Sequence, residues 1–307
     1  MKKNILCGLT LVGVLTFGLG FLGSLSWLLD LFTHFRVYFL LYFFLLLTIA
    51  FIRKQKVAFL INALLSLFII TSLYTFYFPA PEETAAQGLK VCSINLLTSN
   101  HQYDEVIRYI EEEDFDIILF LEFNSRWAKA LDELFTAYPY THQKIREDNF
   151  GIALMSRLPL ENSEVLILSK ANMPTLVSDV RYEGRVLQII GTHPVPPVGA
   201  FQFEARNEQF SRLNQLVKDS EKEVLLLGDL NCSSFSPNFK RISEGTKLRD
   251  SRQGFGLLPS WHARWFFLSV SIDHALLSEG VEVKARGTGP FIGSDHLPLE
   301  IVIDWKE

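Results

Sequence analysis

The pattern of apolar positions divides the chain near residue 81. Before that point three runs carry no charged residue, Ile5 to Leu29, Val37 to Ile52 and Val57 to Pro81, and Asp30, Arg36, Arg53, Lys54 and Lys56 fall between them. A helix needs about 20 apolar residues to cross a hydrocarbon core, so the pattern predicts three transmembrane helices within residues 1–81. The middle run reaches that length only if Phe35 and Arg36 snorkel at its edge. A cleaved signal peptide over Met1 to Ser26 competes for the first run, after Lys2 and Lys3. It is disfavoured because the run exceeds the roughly 7–15 apolar residues of such peptides and two further runs follow. Lys2 and Lys3 lie before the first run and Arg53, Lys54 and Lys56 between the second and third, whereas Arg36 is balanced by Asp30. The positive-inside rule places the amino terminus and the Arg53 loop in the cytoplasm, and three crossings then deliver the rest of the chain to the outer face.

Beyond Pro81 the period changes. Residues 82–88, acidic and small beside the prolines 79 and 81, read as a linker. Leu89 to Leu96 suits a strand with Asn95 near its end, and Tyr103, Val106, Ile107 and Ile110 fall on one helical face. Ile117 to Leu121 is a buried run ending in Glu122, and Trp127, Leu131 and Leu134 predict a second helix. Gly151 to Met155 is apolar, and Thr175 to Tyr182 with Arg185 to Thr192 flank Glu183-Gly184 as a hairpin closed by His193. Prolines 194, 196 and 197 stop that strand, and Phe210, Leu213, Leu216 and Val217 predict a helix. Val224 to Leu227 is a short buried run broken by Gly228 just before Asp229 and Asn231. A polar loop follows, then an aromatic segment from Trp261 to Phe267, a run closing at Asp273 and His274, and a last strand from His296 to Ile303. Strands interspersed with helices over 89–307 predict one α/β domain of sheets covered by helices.

Composition adds two constraints. Residues 1–81 hold six of the 29 Lys and Arg and one of the 34 Asp and Glu, so the remainder carries 23 against 33, a net charge of −10. An acidic surface argues against a long nucleic acid as partner, because backbone binding draws on Lys and Arg. Cys7 lies in the first apolar run, while Cys92 and Cys232 sit in or beside strand-like runs, which favours free thiols over a disulfide.

Polar residues end run after run: Asn95, Glu122, His193, Asp229 with Asn231, Asp273, and Ser294-Asp295-His296. Any one could be a turn former or a cap. Together, if the strand ends face one way, they supply the carboxylates, amides and imidazoles that metal-assisted attack on a phosphate needs. His274 reads as a packing residue, and Arg157 and Arg206 as either phosphate contacts or salt-bridge partners.

The order Asn95, Glu122, His193, Gly228-Asp229-Leu230-Asn231, Ile272-Asp273-His274 and Ser294-Asp295-His296 resembles the endonuclease/exonuclease/phosphatase superfamily over Lys90 to Ile303. The apolar runs combined with Thr192-His193-Pro194-Val195-Pro196-Pro197 are similar to its membrane-bound branch, which includes the teicoplanin-resistance protein VanJ. The resemblance implies a DNase I-like two-sheet sandwich flanked by helices, here preceded by three transmembrane helices. It implies Mg²⁺ (or Mn²⁺) held by Glu122 with Asn95 and Asp295, hard oxygen donors of the kind that ion prefers. It implies Asp229 positioning or deprotonating the attacking water, Asn231 donating to phosphate, and His193 and His296 facing the same phosphate, with His296 paired to Asp273. No covalent intermediate is implied.

The function expected is a membrane-anchored, metal-dependent phosphoesterase at the outer face of the cytoplasmic membrane. Its partners are the bilayer and a phosphorylated substrate, with a lipid pyrophosphate or phospholipid headgroup preferred. Trp261, Trp265, Phe266 and Phe267 either rest at the headgroup level or pack the core, and the core is the preferred reading. The alternatives are an extracytoplasmic nuclease, a catalytically silent binding module, and a transport or sensing unit; the last is weakened because no charge lies well inside any run.

Overall fold

The charge-free runs do fold as helices, in a computed structural model that describes residues 3–80 and 87–306. They are α1 (Lys3–Gly20), a short α2 (Trp27–Asp30) that continues through a 3-10 turn (Leu31–Phe35) into α3 (Arg36–Ile52), and α4 (Lys56–Tyr77). The first of the three expected spans is thereby corrected: the helix over Ile5 to Leu29 stops at Gly20, and the chain turns before Ser26 caps α2 by accepting from the Leu28 N–H. Gly18, Gly20, Gly23, Ser24 and Ser26 crowd that region, and glycine is a poor helix former. Among the described residues two stretches are long and apolar enough to cross a membrane, Trp27–Ile52 and Lys56–Tyr77. At about 1.5 Å per residue α1 is about 27 Å long, short of a hydrocarbon core of about 30 Å. The middle run, expected to be marginal, is lengthened by the helical turns before it. Residues 82–86 of the expected linker lie outside the described residues.

The helix α3 runs antiparallel to both α1 and α4. Leu6, Leu46, Ala50 and Ala58 pack at one end, and Phe17, Phe43, Ile69 and Leu73 at the other, where Phe235 and Leu257 from the rest of the chain join them. Inside the bundle the Asn62 amide nitrogen donates to Thr10 Oγ1 (2.9 Å) and the Ala58 carbonyl (2.7 Å), while its Oδ1 is buried without a partner in the protein.

The remainder builds β1 (Leu89–Asn95), α5 (Tyr103–Glu113), β2 (Ile117–Leu121), α6 (Ser125–Ala130), β3 (Tyr140–Lys144), β4 (Ile152–Ser156), β5 (Leu160–Ile167), β6 (Pro174–Tyr182) and β7 (Arg185–Thr192). It continues with α7 (Ala200–Asp219), β8 (Glu223–Asp229), α8 (Lys240–Ser243), β9 (Arg249–Asp250), β10 (Asp273–Leu277), β11 (Val281–Thr288) and β12 (Leu299–Trp305). Two six-stranded sheets result, in the orders β11-β12-β1-β2-β4-β3 and β5-β6-β7-β8-β10-β9. Each has one parallel pair joined by a helix, β1 with β2 through α5 and β7 with β8 through α7, and antiparallel neighbours elsewhere. Leu119, Leu121, Leu154, Leu176, Ile189, Leu225 and Leu227 interleave between the sheets, while α5 and α6 cover one outer face and α7 and α8 the other. Strands buried on both faces explain the unbroken apolar runs Ile117–Leu121 and Val224–Leu227.

Four expectations shift. The helix expected at Trp127, Leu131 and Leu134 ends at Ala130 and becomes a 3-10 turn (Asp132–Thr136). The run expected to close at Asp273 instead opens there, as β10, and the last strand starts at Leu299, not His296. The aromatic segment is not core: Trp261, Trp265 and Phe267 are 38%, 54% and 57% exposed. Cys92 and Cys232 are buried free thiols and Cys7 is an exposed one.

Candidate active site

The two parallel pairs set the site. Asn95 closes β1 and Glu122 follows β2, while His193 follows β7 and Asp229 closes β8. Ser294 Oγ donates to the Asn95 carbonyl (2.6 Å) and accepts from the His296 N–H (3.1 Å), so the segment 294–296 crosses from one sheet's strand ends to the other's. Asn95 is thereby joined through Ser294 to His296, while Glu122 lies at the matching end of the neighbouring parallel strand.

Gly228 makes the second sheet's end possible. Its φ is +140°, and a Cβ there would lie 2.0 Å from the Thr192 carbonyl oxygen, so no other residue type lets β8 pass β7 this closely. The next residue is then placed against His193, with Asp229 Oδ2 3.3 Å from His193 Nε2. Asp229 Oδ1 accepts the Asn231 N–H at 2.8 Å, closing an Asx turn in which Asn231 adopts φ +48°. The Asn231 side chain donates to the Pro194 carbonyl at 3.0 Å.

Asp273 faces Asp229 across the β8–β10 ladder, and His296 closes the group. Its Nδ1 lies 2.8 Å from Asp273 Oδ2 and its Nε2 3.7 Å from Asp229 Oδ2. Burial alone would lower the pKa of His296, but Asp273 and Asp229 outweigh it and push it up to about 10. Burial likewise opposes the charge on Asp273, yet His296 and the Ser260 hydroxyl hold its carboxyl below the usual range. The adjacent His274 goes the other way. Its Nε2 is 2.7 Å from the Cys232 carbonyl, and burial together with Arg252 lowers its pKa to about 3, so it is a neutral packing group.

Glu122 is 7% exposed, at φ +58°, and its Oε2 accepts from the Thr98 N–H (2.7 Å) and hydroxyl (2.9 Å). Asn95 Oδ1 accepts the Leu97 N–H at 3.1 Å, and Asp295 Oδ2 accepts the Trp261 indole N–H at 3.0 Å. Asn95 Nδ2, Asp295 Oδ1 and His193 Nδ1 are buried without a partner in the protein. Buried polar atoms are normally satisfied, and of these the Asp295 carboxylate oxygen is the one whose chemistry suits a cation. Two carboxylates and an amide oxygen are the donor set of Mg²⁺ or Mn²⁺, and the residues fit such an ion. Ligand atoms of Asp229, Asp273 and His296 also fall within 4.8 Å of one another. Because Asp273 and His296 are already bonded to each other, that trio is better described as a proton-handling chain than as a cation cage.

Arg157 and Arg206 are both spent on ion pairs, with Asp114 (2.5 Å) and Asp30 (2.7 Å). Three supports escape a reading of the sequence: Thr98 beneath Glu122, Trp261 beneath Asp295, and Phe150, whose ring lies 5.2 Å from that of His193. Only Trp261 leaves a trace there, as part of an aromatic cluster.

Comparison with known proteins places this geometry. A model of the "Endonuclease/Exonuclease/phosphatase family" matches residues 92–296, about two thirds of the chain. No curated protein sequence matches significantly. Among solved structures, D. rerio TDP2 complexed with single strand DNA product superposes with a TM-score of 0.60 at 16% identity, covering 71% of this chain and 99% of that one. A functionally unknown conserved protein from Enterococcus faecalis V583 gives 0.59 at 16% identity over 71% and 100%. Sphingomyelinase C from Streptomyces griseocarneus gives 0.53 at 16% identity over 70% and 99%. At these identities the structures establish the two-sheet fold.

Proposed function

The chain belongs to the endonuclease/exonuclease/phosphatase family, and from that premise we propose that it is a membrane-anchored, divalent-metal-dependent phosphoesterase acting at the outer face of the cytoplasmic membrane, with a lipid pyrophosphate as its preferred substrate class. The observation that carries the reading is the buried line His193, Asp229, His296, Asp273, beside Glu122, Asn95 and Asp295 on the same rim.

Glu122, Asp295 and Asn95 would hold Mg²⁺ or Mn²⁺, which when bound neutralises charge on the phosphoryl oxygens. Asp229 Oδ2 accepts the proton of the attacking water, and His193 Nε2 beside it orients that carboxylate. His296, held protonated by Asp273, donates from Nε2 to a phosphoryl oxygen as negative charge gathers there. Water supplies the new P–O bond, and the departing oxygen leaves with the bonding pair.

The bundle is consistent with an outer-face orientation whether or not α1 crosses. Arg53, Lys54 and Lys56 lie at the end of α3 and α4 remote from the sandwich, which contacts the opposite ends through Tyr38 and Thr75. The positive-inside rule favours a cytoplasmic Arg53 loop and hence an outer sandwich. The lipid class is supported by the loop Trp261–Leu268. Trp265, Phe267 and Leu268 are half exposed, the neighbouring Ser269 carbonyl accepts the Tyr38 hydroxyl at the foot of α3 (3.1 Å), and Trp261 holds Asp295. Exposed aromatic rings between a helix foot and a catalytic rim suit the headgroup level.

A nuclease is the second reading, favoured by the DNA product bound to the D. rerio relative and opposed by the net charge of −10 after residue 81. A silent binding module has no use for a buried acid–base chain. The test is phosphate release from undecaprenyl pyrophosphate by detergent-purified protein, beside plasmid nicking, each with Mg²⁺ and with EDTA. Lipid hydrolysis that needs the metal and is lost in Asp229→Ala is expected. Nicking without lipid hydrolysis would select the nuclease, and silence on both would sink the enzymatic reading.

A further inference from the structure

Asp30 is the one carboxylate among residues 1–81, and an ionised carboxylate is costly in an apolar segment unless it finds a partner. It finds one outside the bundle. Asp30 is 1% exposed, its Oδ2 lies 2.7 Å from Arg206 Nη2 on α7, and its Oδ1 accepts the Ser236 hydroxyl at 2.5 Å. Arg206 is fully buried, with its guanidinium facing the rings of Phe203 and Phe210. Its Nε and Nη2 donate to Asn207 Oδ1 at 3.2 and 3.0 Å, and its Nη1 donates to the Asn231 carbonyl at 3.1 Å.

One guanidinium thus touches both the amino-terminal helices and the turn that carries Asp229 and Asn231. Asn231 is held at each end of its backbone, by Asp229 Oδ1 on its N–H and Arg206 on its carbonyl, in a left-handed conformation that non-glycine residues rarely adopt. The loop that follows is tied to the same turn of the bundle, with the buried Asn238 amide donating to the Gly23 carbonyl at 3.0 Å.

We propose that Asp30 and Arg206 are positioning residues for the active site, so that the amino-terminal helices complete the catalytic turn at Asp229–Asn231 instead of serving only as a tether. The inference rests on the phosphoesterase reading above. Asp30 fixes the Arg206 guanidinium, Arg206 fixes the Asn231 carbonyl, and the turn keeps Asp229 facing His193 and His296. A displacement of about 1 Å at such a group is enough to slow a reaction by orders of magnitude while the substrate still binds.

The experiment uses full-length protein in detergent, with undecaprenyl pyrophosphate and bis-p-nitrophenyl phosphate as probes in Mg²⁺, well below each variant's melting temperature. Asp30→Asn is expected to lower kcat at least tenfold with KM within about threefold of wild type, because the lost interaction is one of alignment and not of binding. Asp30→Glu is expected to recover part of the loss. Asn62→Ala, which weakens the bundle far from the join, is expected to lower the melting temperature and leave kcat unchanged. Ser236→Ala leaves both charges paired and covers the case in which Asp30→Asn does not fold; its kcat is expected to fall about threefold. Unchanged kcat in Asp30→Asn, or in Ser236→Ala if the former does not fold, overturns the inference while leaving the phosphoesterase reading intact. If Asn62→Ala loses kcat as Asp30→Asn does, the effect is general destabilisation and the inference also fails. A wild-type protein that hydrolyses neither probe overturns the functional reading and the inference with it.

Discussion

Replacing Asp273 by asparagine isolates what the buried carboxylate does for His296. The two are 2.8 Å apart, and Asp273 is the largest of the three charges, with Asp229 and Asp295, that raise the histidine to about 10 against the opposing effect of burial. At about pH 7.5 the wild-type imidazole is almost wholly protonated. Without Asp273 the largest raising charge and its hydrogen bond are gone, so burial counts for more and the pKa falls from about 10, with Asp229 and Asp295 alone still opposing the fall. If His296 donates to the phosphoryl oxygen, kcat should fall at least tenfold at that pH, more if the introduced amide also turns the ring. The profile should change shape as well. Wild type should hold its activity up to about pH 9 and lose it as His296 deprotonates near 10, whereas the variant's alkaline limb should move to lower pH. Stability gives an independent check. Because the folded-state pKa lies above the ordinary 6.5, the pairing contributes stability that is fully present below about pH 6.5 and is lost as pH rises through about 10. The melting temperature of the wild type should therefore decline between those limits and that of Asp273→Asn should be flatter. Phosphate release and thermal melts at pH 5 to 10 measure both. A variant that keeps the wild-type alkaline limb, with kcat within twofold, would refute the assignment of His296 as proton donor.

Two further outcomes follow from packing. Gly228→Ala puts a Cβ 2.0 Å from the Thr192 carbonyl at φ +140°, and should cost roughly 2–4 kcal/mol in thermal or urea unfolding, with activity falling because Asp229 is displaced. Burial raises the Cys232 thiol to about 11 and holds the Cys92 thiol well above its ordinary value, so at pH 8 maleimide should label at most Cys7 in the folded protein and all three after denaturation. Labelling of Cys232 in the native protein would show that the turn after Asn231 opens.

What the sequence made legible was whatever burial on both faces writes into it. Ile117–Leu121 and Val224–Leu227 could be read as strands because no side of either meets water, and their polar ends could be read as a rim because a strand core does not tolerate them. Edge strands carry no such signal: β5 runs Leu-Glu-Asn-Ser-Glu-Val-Leu-Ile with nearly every side chain exposed, and neither it nor β3 announces itself in the apolar pattern. Strand direction is equally silent. Asp273 looks like the close of a run and instead opens β10, because β10 lies antiparallel to β8 and brings its first residue to the end where β8 delivers Asp229. Asn95, Glu122 and Asp295 were legible as oxygen donors, whereas Thr98 beneath Glu122 was not, since a hydroxyl in a loop has many ordinary reasons to be there.

Asp30 is the instructive failure. In sequence it looks like the counter-charge of Arg36, six residues away between two apolar runs. In the fold Arg36 lies over the rings of Phe17, Phe21 and Phe235, while Asp30 pairs with Arg206, 176 residues on. Desolvating either charge alone costs several kcal/mol, and only their mutual attraction and the surrounding hydrogen bonds offset it. Each half of the chain therefore carries a buried group that is unfavourable until the other half is in place. An apolar contact such as Phe76 against Phe235 could slide or re-pair, but a carboxylate held by Arg206 and Ser236 fixes one docking position. The composition changes at residue 81, but the ion pair of Asp30 with Arg206, whose Nη1 reaches the Asn231 carbonyl, crosses that point.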